Sequence, residues 1–134
     1  MKVSLSSKAW KLCSEYNRRK DADANGFTKC CSCGKWGHWK TLHAGHYYPR
    51  RCSSLHFEES NIHAQCRGCN FYNIEVGKIG YANFMLKRYG QAHLDRLEWQ
   101  SRGIRRWRKF EIDQQAEYYK GKLVELEKAQ IQTL

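Results

Sequence analysis

The sequence predicts an α+β fold, in which a small cysteine-stapled core of short strands is flanked by an N-terminal helix and C-terminal helices. Three observations carry this. Two C-x2-C pairs, Cys30/Cys33 and Cys66/Cys69, are separated by 32 residues. Short glycine-punctuated runs around these pairs read as strands. Helical periodicity is found on either side of them.

The elements follow in order. Residues 4–20 read as a helix, capped by Ser4, Ser6 or Ser7, with Leu5, Ala9, Leu12, Cys13 and Tyr16 on one face. Cys13 is a small core residue of that face, having no partner at ligand spacing. Asp21 to Gly26 is turn chemistry. Phe27 to Trp39 reads as a knuckle hairpin, with Gly34 and Gly37 permitting its tight backbone. Thr41–Tyr48 is a strand, residues 49–60 a basic loop, and Asn61–Gln65 a lead-in to the second pair. A short helix is expected from about Arg67, then helices at 78–89 and 91–100 split by Gly90. Ile79, Phe84, Met85 and Tyr89 mark the first of that pair; Ala92, Leu94 and Leu97 mark the second. A final helix spans 110–129, where Ile112, Ala116, Tyr119, Leu123 and Leu126 alternate four and three apart. Residues 1–109 thus form one domain, and 110–134 an appended helix for docking or dimerisation.

Bulk properties narrow the partner. Residues 1–109 hold 21 Lys/Arg against 8 Asp/Glu, whereas residues 110–134 hold 3 against 5. So basic a body points to a polyanion. Mean hydropathy is −0.83, and no run approaches the ~20 apolar residues of a spanning helix, so no membrane role is expected. Seven cysteines and an N-terminus without an apolar signal region fit a secreted disulfide scaffold poorly. In a reducing compartment, paired C-x2-C units read as metal thiolates.

Cys30, Cys33, Cys66 and Cys69 suit a tetrahedral structural Zn²⁺ closed to water, contributing on the order of 10 kcal/mol to folding. Cys31 competes with Cys30, but the spacing favours Cys30; Cys52 reads as free. The long insert between the pairs carries His46 near a strand end, Asn61 fifteen residues on, and Asn70 directly after the last cysteine. This spacing resembles the HNH (ββα-metal) nucleases of the treble-clef superfamily. The resemblance implies His46 as general base, Asn61 as the residue that fixes the loop and imidazole, and Asn70 as a ligand to a catalytic divalent ion. A neutral imidazole near pH 7 is suited to deprotonating a water that attacks phosphorus.

A more specific likeness runs through AGHYYPRR, LHFEESNIHAQCRGCN, GYANFMLKRYG and LDRLE. The chain resembles the NinG (Rap) family of lambdoid-phage recombination endonucleases over roughly residues 5–128. That resemblance implies a DNA endonuclease selective for branched recombination intermediates such as Holliday junctions, in the cytoplasm of a bacterial host. There are departures. Gly45 occupies the place where most HNH cores have an acidic ligand. The same strand face is reached at His43, whose nitrogen favours Mn²⁺ over Mg²⁺. Asn70 replaces a terminal His, Asn73 stands where Lys is frequent, and His56 where Arg is common.

Arg50, Arg51, Arg102, Arg105, Arg106, Arg108 and Lys109 are candidate phosphate contacts; Trp107 among them is a ring that either stacks on an unpaired base or anchors in the core. His63 suits metal, DNA or a structural hydrogen bond equally; His38 and His93 carry no pattern. Two nicks across a junction imply a homodimer, with the 112–126 seam as a contact. The alternatives are an HNH nickase without branch selectivity, a non-catalytic zinc-stapled DNA-binding module and a zinc-stapled protein adaptor.

Overall fold

A computed structural model describes residue 4 and residues 7–132. Helix α1 (Lys8–Arg19) begins at Ser7, whose hydroxyl accepts from the Trp10 N–H at 3.2 Å. Ser6 and Leu5, expected in this first turn, lie outside the described residues. Its buried stripe is Ala9, Trp10, Cys13, Tyr16 and Asn17, the i, i+3, i+4 rhythm of one helix face. Asn17 stays buried by donating back to the Cys13 carbonyl at 2.9 Å. Beyond the helix, the Lys20 ammonium turns inward to Asn17 Oδ1 and the carbonyls of Glu59 and Ile62. Burial there lowers its pKa to about 8.

Two small antiparallel hairpins follow. β1 (Phe27–Lys29) pairs with β2 (Trp36–His38), and β3 (His43–His46) pairs with β4 (Ile62–Gln65). The turn into β1 forms because Asp23 Oδ1 accepts from the N–H groups of Asn25 and Phe27. The second hairpin sets His43 opposite Gln65, Gly45 opposite His63, and His46 opposite Ile62. All four β4 residues are buried. The strand expected over Thr41–Tyr48 shrinks to its middle, since the ends leave the ladder for short turns.

A wide turn at Gly68–Tyr72 leads into α2 (Ile74–Tyr89), then α3 (Gln91–Ser101). Helix α2 starts four residues before the expected 78, and its buried face is also different. Gly77, Tyr81 and Met85 face inward, while Ile79 is 65% exposed. Two glycines explain the shift. A Cβ at Gly77 would stand 2.3 Å from the Cys69 carbonyl oxygen, and one at Gly80 would stand 2.0 Å from that of Ser32. The helix therefore packs backbone to backbone on both cysteine turns, an approach only glycine permits. Leu55, Tyr81, Met85 and Leu97 form one core cluster.

The last helix, α4 (Lys109–Gln132), lies on α1. Ala116, Tyr119 and Leu123 enter a second core cluster with Ala9, Trp10, Cys13 and Tyr16, with Ile112 and Leu126 packed at its edge. The 112–126 seam, considered as a dimer contact, is thus covered within its own chain. Trp107 also belongs to this cluster: it is 4% exposed, and its indole N–H donates to the Ser53 carbonyl at 2.8 Å. It anchors the α3–α4 connection and has no free face for a base, correcting its expected DNA contact. No described helix is long and apolar enough to cross a membrane.

Candidate functional site

The four cysteines converge. The Sγ atoms of Cys30, Cys33, Cys66 and Cys69 all lie within 4.8 Å of one another, and the Cys33–Cys66 pair stands at 3.8 Å. Sulfurs ~2.3 Å from a tetrahedral zinc are about 3.8 Å apart, so the cluster fits that ion. Hydrogen bonds pre-shape each turn: Cys30 Sγ accepts from the N–H groups of Ser32 and Cys33, and Cys66 Sγ from Cys69 N–H. Cys31 points elsewhere. Its thiol packs at the edge of the Leu55–Tyr81–Met85 cluster, and burial pushes its pKa up, so it is no competitor for the metal.

His46 closes β3 with its ring stacked on Trp10 at 5.0 Å and 16°, and beside His56 at 5.4 Å. Its Nε2 lies 3.0 Å from the His56 carbonyl oxygen. A carbonyl only accepts, so Nε2 carries the proton and Nδ1 keeps a lone pair. Burial lowers the pKa to about 4, with the His56 carbonyl opposing and Arg50 adding to the fall. The imidazole is therefore neutral and oriented at pH 7, with Nδ1 unprotonated. His56 is itself 4% exposed with its pKa lowered by burial to about 3. It serves as packing and as a carbonyl, not as a phosphate contact.

Asn61 is fully buried and spans the loop after β3. Its Oδ1 accepts from Tyr48 N–H at 2.8 Å, and its Nδ2 donates to the carbonyls of Tyr48 and Leu55. The two ends of loop 47–61 are thereby tied together directly after His46. His63 is a structural residue. Tyr81 O–H donates to the Gly45 carbonyl at 2.6 Å, so His63 Nδ1 donates to Tyr81 and Nε2 accepts from Tyr89. Burial pushes its pKa down to about 2.

His46, Arg51, Gln65, Asn70 and Lys78 are among the residues that line one cleft of about 580 Å³ between the β3–β4 hairpin and α2. The charged lining residues are Arg51 and Lys78, with no carboxylate. Asn70 reaches the cleft from the wide turn, and its Nδ2 donates to His43 Nδ1 at 3.0 Å. His43 is not a lining residue: its ring sits edge-on to Phe71, and burial with Arg67 and Arg18 nearby lowers its pKa. Gln65, Tyr81 and the Trp10 stacking partner were missed from sequence. The one signal for Gln65 was a polar side chain in a strand otherwise apolar enough to be buried.

The basic candidates spread over more than one place. Arg51 lines the cleft, and Arg50 lies 6.0 Å from the Trp10 ring. Arg102 pairs with Glu98 and Arg105 with Glu111, the latter also covering Trp107 at 3.9 Å. Arg106, Arg108 and Lys109 are exposed at the start of α4.

Neither the curated proteins nor the solved structures give a match to this chain. A family model does: the one described as bacteriophage lambda NinG protein matches residues 2–130. That span takes in the four cysteines, both hairpins, the cleft and nearly all of α4, and the chain belongs to the NinG family.

Proposed function

We propose that this protein is a metal-dependent DNA endonuclease of the HNH (ββα-metal) type, acting on branched recombination intermediates such as four-way junctions. The observation that carries the reading is His46, a neutral imidazole fixed by a backbone carbonyl, lining a cleft whose charged residues are all basic. The chain order of cysteine knuckle, β-hairpin and helix supports a treble-clef reading. Zinc on the four thiolates would hold knuckle and helix together without entering the chemistry.

His46 Nδ1 takes the proton of the water that attacks phosphorus, while the His56 carbonyl steadies the resulting imidazolium. Asn61 keeps loop 47–61, and with it the His56 carbonyl, in place. Arg51 and Lys78 bind the phosphates flanking the scissile bond. Asn70, the residue the resemblance names as ligand, would offer an amide oxygen to a divalent ion that the phosphate oxygens of bound DNA would complete. When bound, such an ion neutralises charge on the scissile phosphate and helps the 3′-oxygen leave. Phe71 and Tyr72, 58% and 70% exposed and directly after Asn70, supply rings for unpaired bases at a branch point.

The test is cleavage of a labelled four-way junction and a matched linear duplex with Mg²⁺ or Mn²⁺. Nicking of the junction in preference to the duplex is expected. Equal nicking of both overturns branch selectivity and leaves an HNH nickase. No nicking with any divalent ion overturns the enzyme. The carboxylate-free cleft favours one second reading, a zinc-stapled module that binds DNA without cutting it.

A further inference from the structure

The β1–β2 hairpin does not line the cleft, and it presents a surface of its own. In its register Phe27 sits opposite His38 and Lys29 opposite Trp36, while Thr28 sits opposite Gly37. Side chains alternate between the two faces of a strand. Thr28 is buried, so its neighbours point outward: Phe27 is 44% and Trp36 58% exposed. The Lys29 ammonium stands 5.4 Å from the centre of the Trp36 ring, and Phe27 meets the His38 ring edge-on at 5.3 Å. The strip continues into Trp39, whose ring lies 5.8 Å from that of His38 and 5.2 Å from the Arg18 guanidinium.

These rings are held in place by their own surroundings. A Cβ at Gly26 would stand 2.4 Å from His38 Nε2, so only a glycine, here at a φ of 87°, admits the imidazole. His38 Nδ1 accepts from the Lys40 N–H at 3.2 Å, and Arg18 donates to the Trp39 carbonyl at 3.2 Å. Rings fixed in this way lose little freedom when a ligand arrives.

The charge around the strip has one sign. Residues 24–57 hold five Lys/Arg and no Asp/Glu. The carboxylates just before this run are engaged: Asp21 pairs with Arg88, and Asp23 accepts from the N–H groups of Asn25 and Phe27. Lys29, Lys35 and Lys40 are exposed, and none of them makes an ion pair among the described residues.

We propose that this face binds unpaired nucleotides of DNA, with a base stacked on Trp36 and the neighbouring phosphates met by Lys29, Lys35 and Lys40. Ring faces favour bases freed from a duplex, since paired bases are already stacked on one another. The hairpin thus supplies a second grip on DNA, outside the cleft. Its closing turn carries Cys30 and Cys33, so the four-cysteine cluster links this grip to the turn that bears Asn70. The proposal rests on DNA as the partner and not on cleavage.

Fluorescence anisotropy of zinc-loaded protein with labelled oligothymidylate, and with a duplex of equal length, tests this. Trp36→Ala is expected to weaken oligothymidylate binding on the order of tenfold or more, the scale of one lost base stack, and duplex binding by less than about threefold. Trp36→Phe keeps a ring and recovers most of the loss. Lys29→Gln lowers the slope of log Kd against log salt by about 0.7, one phosphate contact on a single strand. Zinc content and circular dichroism confirm that each variant is folded. Equal weakening on oligothymidylate and duplex overturns the choice of unpaired nucleotides. Oligothymidylate binding lost with Tyr72→Ala but unmoved by Trp36→Ala places unpaired bases beside the cleft alone and overturns the proposal, even if the wild type nicks junctions. Binding unmoved by either variant also overturns it and leaves the face to an acidic protein surface. Binding that follows Trp36 in a protein that nicks nothing upholds the proposal and overturns the nuclease.

Discussion

At the scale of single residues, the site depends on two side chains with opposite burial logic. His46 is kept neutral by burial, and Asn61 is kept buried by satisfying every polar atom around it. Asn61→Ala strands the Tyr48 N–H and carbonyl, at a cost of about 2–3 kcal/mol, read as a lower urea midpoint with unchanged zinc content. The buried histidines set an acid limit. His46, His56 and His63 have folded pKa values lowered from 6.5 to about 4, 3 and 2. The unfolded chain therefore binds protons below pH 6.5 that the folded chain refuses. Their contribution is complete above pH 6.5 and is lost as pH falls toward 4, at up to about 1.4 kcal/mol per unit for each of the buried His56 and His63. Urea melts at pH 7.5 and 5.5 should show the lower midpoint at 5.5; an equal or higher midpoint contradicts the burial. His46 and Asn61 stand out in sequence through an HNH-like spacing inside the cysteine frame. The tautomer of His46 does not, because it depends on a backbone carbonyl ten residues away.

At the scale of elements, α2 is where sequence reading failed most usefully. Its apolar residues suggested an inner face containing Ile79, but the contact is made by glycines, which carry no hydrophobic signal. Gly80→Ala drives a methyl into the Ser32 carbonyl oxygen and forces α2 off the knuckle. A loss of about 1–3 kcal/mol is expected, with faster zinc release to a chelator than wild type. Unchanged stability and zinc release would show that the helix does not depend on that approach. By contrast α4 was legible, since its four-three alternation marks one apolar stripe. What periodicity could not say was whether the stripe meets α1 or another chain. It meets α1, and Leu123→Ala should cost about 2–5 kcal/mol with no dependence on protein concentration.

For the whole molecule, the cysteine pairs announced the four-thiolate cluster and the charge surplus points to a polyanion, whereas the cleft itself belongs to no single segment. It is lined by the β3–β4 hairpin, the loop after β3, the wide turn at Gly68–Tyr72 and α2, and the four-cysteine cluster ties the Cys30–Cys33 turn to the start of that turn. Stripping the metal with a chelator under reducing conditions is expected to unfold the core and abolish DNA binding together. The central claim is that His46 does chemistry, and the most direct measurement follows cleavage and binding in the same samples. Zinc-loaded wild type and His46→Ala are incubated with a four-way junction and Mn²⁺, with single-turnover nicking and equilibrium binding read side by side. The account predicts on the order of 10²–10⁴-fold slower nicking with binding held within about twofold, the precision such a comparison needs against a tenfold step of 1.4 kcal/mol. Equal nicking by the two proteins would contradict it.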